Sequence, residues 1–174
     1  MSARRLILLS TWFQLIWFLA ILGREEWLWL TLSLVLVTQV LTVGLSQIRL
    51  GAWLGLLGLG VCIDYANYYF GLFQFEPSRF PIWLILLWAI FLWYANYLAP
   101  ILNQYHPVLV SLVSGIAGAM SYFAGMKLQA VAFPHGNVTT LLVLFIEWSL
   151  LIIVIKKVYS HEPSLSVDQK GANF

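Results

Sequence analysis

Apolar residues run along this chain in six long stretches, at 6–22, 27–45, 51–73, 81–102, 107–126 and 138–155. A membrane-spanning helix needs about 20 mostly apolar residues, each rising about 1.5 Å, to cross about 30 Å of hydrocarbon. All six stretches meet or approach that length. The breaks between them carry physical stop signals. Gly23-Arg24-Glu25-Glu26 is charged, and Ser46-Gln47-Ile48-Arg49 ends at a glycine. Glu76-Pro77-Ser78-Arg79 offers a turn with Pro81 at the start of the next helix, and Asn103-Gln104-Tyr105-His106 leads into Pro107 in the same way. The longest connection runs from Lys127 to Asn137 and holds Pro134 and Gly136. The pattern predicts an all-α, polytopic transmembrane helix bundle of six spans, forming one domain over residues 1–159. A polar, disordered tail is expected at 160–174.

Composition leads to the same class. Of 174 residues 61% are hydrophobic and only 9% charged, against about 25% charged in an ordinary soluble domain. The mean hydropathy is +0.88. Net charge is +2, and the nine Lys and Arg fall in connections and tails, where they set topology rather than form a nucleic-acid surface. With the N-terminus in the cytoplasm, Arg4, Arg5, Arg49, Lys156, Lys157 and Lys170 lie inside and Arg24, Arg79 and Lys127 outside. That asymmetry predicts both termini cytoplasmic. The N-terminal run carries bulky Trp12, Phe13, Trp17 and Phe18 and no clean small-residue cleavage pair, so it is expected to be a retained span. No connection is long enough for a soluble catalytic or binding domain, so any chemistry belongs between the helices or at their rims.

Few polar residues lie deep in the spans. Asp64 sits within the third, where an acid costs about 2.5–3.5 kcal/mol on insertion scales and is a functional candidate by default. Helical spacing places Gly60, Asp64, Asn67, Tyr68 and Gly71 along one face. That face is expected to look into the bundle, as a proton site or ligand anchor, or as a hydrogen-bond cluster joining helices. Glu147 is the second buried acid, near the middle of the sixth span. Neither span contains a basic residue, and two carboxylates on adjoining helices can share a proton or a cation. Asn96 is the remaining strong polar group, a candidate partner of Asn67 across the third and fourth helices. Deep tryptophans, Trp12, Trp17, Trp88, Trp93 and Trp148, are candidates to line an apolar cavity or simply to pack. Trp27, Trp29, Trp53 and Trp83 fall at span ends, as an interfacial belt requires.

Other signals concern packing or exclude chemistry. The fifth span is rich in small residues, with Ser111/Gly115/Ala119, Ala117/Ser121/Gly125 and Ser114/Gly118 at i,i+4 spacing. It is expected to be a central helix wrapped by the others, and such faces also offer a route to homo- or hetero-oligomers. The lone Cys62 rules out an internal disulfide, and His106, His135 and His161 form no metal-spaced cluster. Asn137-Val138-Thr139 matches a glycosylation sequon but abuts the membrane. No cofactor, metal or nucleic-acid partner is expected. Each half of the chain ends in a span with an acid followed by an aromatic, Asp64-Tyr65 and Glu147-Trp148, which raises an inverted three-plus-three repeat as a hypothesis.

Several motifs together resemble a bacterial membrane family, the domain of unknown function DUF2878. They are Trp12-Phe13, Gly60 with Asp64, Gly71-x-Phe73, Pro81-x-Trp83-Leu84-x-x-Leu87-Trp88-Ala89-x-Phe91, Asn96, and Gly115-x-x-Gly118-Ala119-x-x-Tyr122-x-x-Gly125-x-x-Leu128-x-Ala130-Val131. The likeness runs to about residue 155. The family's Gly-Gly-Pro before the tyrosine is Gly118-Ala119-Met120-Ser121 here, and its Leu-Gly-Ala-Val is Leu128-Gln129-Ala130-Val131. The resemblance implies a bacterial inner-membrane location, no established activity, and an association with genes for membrane-lipid modification. The leading expectation is a protein that binds, or assists in handling, a membrane lipid or other apolar molecule, with site candidates Asp64, Asn67, Tyr68, Trp88, Trp93, Asn96 and Glu147. The alternatives are a small proton-coupled transporter using the two acids and an intramembrane lipid-modifying enzyme. The last requires the acids about 5–10 Å apart around an open cavity.

Overall fold

The computed structural model describes residues 2–42 and 50–160, folded into six helices. They are α1 (Ala3–Gly23), α2 (Leu28–Thr42), α3 (Leu50–Tyr69), α4 (Ile82–Leu102), α5 (Pro107–Lys127) and α6 (Asn137–Ser160). All but α2 are long and apolar enough to cross a membrane. Helix α2 is shorter, and the end of its predicted span at 43–45 lies outside the described residues, as does the tail predicted at 160–174 from residue 161 onward. Large apolar side chains such as Leu8, Leu41, Leu112, Ile116 and Leu150 are exposed along the helices, a surface suited to hydrocarbon rather than water. Three connections, after α1, α3 and α5, gather at one end, hereafter the loop end.

Helix α4 is the central element. It packs on α1, α2, α3 and α6 and is the most buried of the long apolar helices. This corrects the expectation that α5 would occupy the centre. Gly115 and Gly118 of α5 are used against α6: a Cβ at Gly115 would collide with Phe145 and Ser149, and one at Gly118 with Trp148. The opposite side of α5 carries exposed Leu109, Leu112, Val113 and Ile116. Small residues permit close approach, but only a facing helix makes use of it. Two threonines of α2 accept indole N–H bonds, Thr38 from Trp12 and Thr42 from Trp93, which fasten α1 and α4 to α2.

The third span ends at Tyr69, four residues before the predicted 73. Gly71 takes a left-handed φ of 76°, a conformation glycine adopts without steric cost. The amide of Gly71 bonds the carbonyl of Tyr68, and that of Leu72 bonds the carbonyl of Asn67, a Schellman ending. Residues 72–75 then run extended back into the bundle, burying Leu72, Phe73 and Phe75.

The same local structure recurs 58 residues later, the separation of Asp64 and Tyr122. There Gln129 is left-handed at φ 61°, its amide bonds Met126 and that of Ala130 bonds Gly125. The two extended segments meet in an antiparallel bridge of reciprocal backbone bonds between Gln74 and Ala132, at 3.0 and 2.8 Å. Gly60 and Gly118 correspond by the same spacing, and each seats an indole, Trp88 and Trp148 respectively. Hairpins α3–α4 and α5–α6 are therefore two copies of one arrangement running in the same direction. The residue matching Asp64 is Tyr122, whereas the inverted repeat raised from sequence matched it with Glu147.

Candidate functional site

Asp64 is 1% exposed and lies where the two copies face each other. Its position on α3, one turn from Gly60, turns it toward α4 and α5. Its Oδ2 accepts the Trp88 indole N–H at 2.6 Å. The Tyr122 hydroxyl, 2.7 Å from both Oδ1 and Oδ2, donates to the carboxyl group from α5. One carboxyl group thus joins three helices at a single level. A buried donor left without a partner costs about 1–3 kcal/mol, so Trp88 and Tyr122 each need Asp64.

The two rings held in this way each stack on another ring. Trp88 lies on Trp148 with centroids 5.3 Å apart and planes 6° from parallel. Tyr122 lies on Phe73 at 5.2 Å and 15°. Gly60 and Gly118 make room beneath the two indoles, where any side chain would intrude on the ring. Such offset aromatic pairs add about 0.5–1.5 kcal/mol beyond burial.

Trp88, Tyr122 and Trp148 also form part of the wall of a cavity of about 70 Å³ between α1, α4 and α5. Trp17, Trp83, Phe13, Phe75 and Phe91 are its other aromatic lining residues. Its polar contributions are slight: Tyr122 is committed to Asp64, and the Ser121 hydroxyl accepts the Trp17 indole N–H at 3.1 Å. Neither Asp64 nor Glu147 lines this space. A water needs about 10–15 Å³ measured this way, so the cavity has room for about five water-sized groups, comparable to one ring or a short alkyl segment.

The remaining candidates divide between this cluster and other tasks. Asn67, one turn beyond Asp64 on α3, is buried and donates from Nδ2 to Glu147 Oε2 at 2.8 Å. The two acids therefore lie on the same side of the bundle, about one helical turn apart along α3. Glu147 is half-buried. Tyr68 belongs instead to the loop end, where its hydroxyl donates to the Ser78 carbonyl and its ring packs on Phe75 and Phe80. Trp93 is buried against α2 through its bond to Thr42, away from the cavity lining. Trp12 bonds Thr38 and is likewise outside it.

Asn96 does not meet Asn67. Hairpin α3–α4 turns at residues 70–81, so Asn67 lies near the turn while Asn96 lies about four helical turns into α4. Trp83 is not an interfacial residue as its place near a span end suggested; it is 3% exposed and walls the cavity. Tyr122 was missed as a site residue. Its signal was present, since Gly118-x-x-x-Tyr122 repeats the spacing of Gly60-x-x-x-Asp64. Among the described residues, no three His, Cys, Asp or Glu side chains are grouped to hold a metal ion.

Comparison with known proteins gives a family without a function. The model of the family described as "Protein of unknown function (DUF2878)" matches residues 6–154, and the chain belongs to that family. No curated protein and no solved structure matches the chain.

Proposed function

For this member of a family with no assigned activity, we propose that the protein holds an apolar small molecule inside the bilayer, in the aromatic cavity between α1, α4 and α5. The observation that carries the reading is that the cavity walls Trp88 and Tyr122 are both fixed by the buried Asp64. Lipid-facing packing alone has no need of a buried acid, whose insertion is costly. A preorganised apolar pocket with oriented rings is how small-molecule sites are generally built. Asp64 is then a positioning residue, acting through the two rings. The site lies in a six-span, inner-membrane protein with both termini cytoplasmic, for which the charge asymmetry of the connections argues.

The test fills the cavity without disturbing its walls. Gly125 lines it, and a Cβ there meets Ile21 Cδ1 at 3.6 Å and Val131 Cγ1 at 3.9 Å, ordinary contacts. Gly125→Leu therefore extends into the empty space. Native mass spectrometry of protein extracted in mild detergent is expected to show a stoichiometric small molecule on the wild type and none on Gly125→Leu. Equal retention by both, or no bound molecule on the wild type, overturns the proposal.

A second reading, proton-coupled transport, is favoured by the half-buried Glu147 bonded to Asn67 one turn from Asp64. It predicts proton flux in proteoliposomes carrying a pH dye, abolished by Glu147→Gln. Flux equal to that of empty vesicles would dismiss it.

A further inference from the structure

At the loop end a second space, about 440 Å³, opens beside the connections after α3 and α5. Its lining is mixed, with Met126, Ala130, Val131, Ala132 and Phe133 beside four polar side chains. Gln74, Glu76, Gln129 and Asn137 line it, and Glu76 is the one ionisable side chain among its lining residues. Val131 lines both spaces, so the mouth and the aromatic interior adjoin at that residue. Beside it, the bridge between Gln74 and Ala132 is formed by backbone alone. Residues that would ordinarily form a solvated loop are held against the bundle, with polar side chains turned outward and Phe75 and Val131 turned in.

From this juxtaposition we infer that the ligand is a single-chain amphiphile with a hydrogen-bond-donating head, a hydroxyl or an ammonium. The head lies in the mouth and the apolar end in the aromatic cavity. The inference rests on the proposed binding role of that cavity and names the class of molecule it takes. A carboxylate and three side-chain amides offer acceptors to an incoming donor, and the carboxylate disfavours an anionic head. The inner space limits the buried part to about one ring or a chain of about six carbons.

The experiment uses three photoreactive probes, each with an octyl chain bearing a diazirine near its end: an alcohol, an amine and a headless hydrocarbon. Each is titrated onto the full chain in nanodiscs, and labelled residues are mapped by tandem mass spectrometry. The alcohol and amine are expected to label residues of α4 and α5 that face the cavity, saturably, with little labelling by the hydrocarbon at the same concentration. Gly125→Leu should remove that labelling. Glu76→Gln, at an exposed position that leaves the core intact, should weaken the amine about tenfold, roughly one charge-assisted hydrogen bond. If the hydrocarbon labels the cavity as well as the other probes and Glu76→Gln changes nothing, the amphiphile inference falls while the binding role stands. If no probe labels the cavity of the wild type saturably, both fall.

Discussion

Replacing Asp64 separates a structural fastening from a mere polar residue, and the geometry predicts a difference between two substitutions. In Asp64→Asn, the amide oxygen can face Trp88 Nε1, which only donates, while the amide nitrogen donates to Tyr122, whose hydroxyl also accepts. Both neighbours keep a partner but the Tyr122 hydroxyl proton loses its acceptor, so the expected loss is that of one orphaned donor, about 1–3 kcal/mol. Asp64→Leu leaves the indole N–H and the hydroxyl without an acceptor. At about 1–3 kcal/mol for each buried orphan, the expected loss is about 2–6 kcal/mol. The average interhelical hydrogen bond in a membrane is worth only about 0.6 kcal/mol, because unfolded helices find other partners. This cluster should exceed that average, since Gly60 and Gly118 seat the rings so closely that they have little room to turn elsewhere. The assay is equilibrium unfolding in mixed micelles, with Tyr122→Phe completing a double-mutant cycle. A coupling between positions 64 and 122 of about 1 kcal/mol or more is expected. Equal stability of Asp64→Asn and Asp64→Leu, with no coupling to Tyr122, would refute the reasoning.

Other positions give sharper but smaller tests. Gly60→Ala places a methyl group against the Trp88 ring and should cost about 1–3 kcal/mol by overpacking, whereas Gly125→Ala has room and should gain about 0.5–1 kcal/mol, both read by the same unfolding assay. Gln129→Gly relieves a left-handed non-glycine residue and is expected to stabilise by about 1 kcal/mol, while Gly71→Ala at the matching position should destabilise by about as much. Asn67→Leu removes the bond to Glu147 and should lower the midpoint of unfolding, whereas Asn67→Gln, able to reach the same oxygen, should restore part of it.

The sequence made the helices legible because span length and breaks are local properties. The predicted spans begin within three residues of the observed helices, but α3 ends four residues early, where Gly71 folds the chain back, and α6 runs five residues past the predicted 155. Asp64, Asn67, Trp88 and Glu147 were identifiable as candidates because polar groups are costly in hydrocarbon, whatever they contact. Their partners were not, since helical spacing tells which residues share a face and not which helix that face meets. Asn96 illustrates the difference. Polarity singled it out, but the hairpin places Asn67 beside the turn and Asn96 about four helical turns beyond it.

The recurrence at 58 residues explains why the partner of Asp64 is Tyr122. Matching positions in two facing copies of a hairpin tend to meet one another, as Gln74 meets Ala132 and as the indoles seated on Gly60 and Gly118 stack together. Backbone bonds and flat rings can pair with their own kind. A carboxyl group cannot do so cheaply, because two acids facing each other repel unless they share a proton. Two tyrosines would form one hydroxyl–hydroxyl bond and could accept the Trp88 N–H, but the second hydroxyl proton would be left without an acceptor. An acid in one copy and a phenol in the other gives an acceptor facing two donors, so every polar atom at the joint is used. The departure from symmetry at this one pair of positions is what allows a polar fastening at the centre of an apolar bundle, and it orients Trp88 and Tyr122 toward the same cavity.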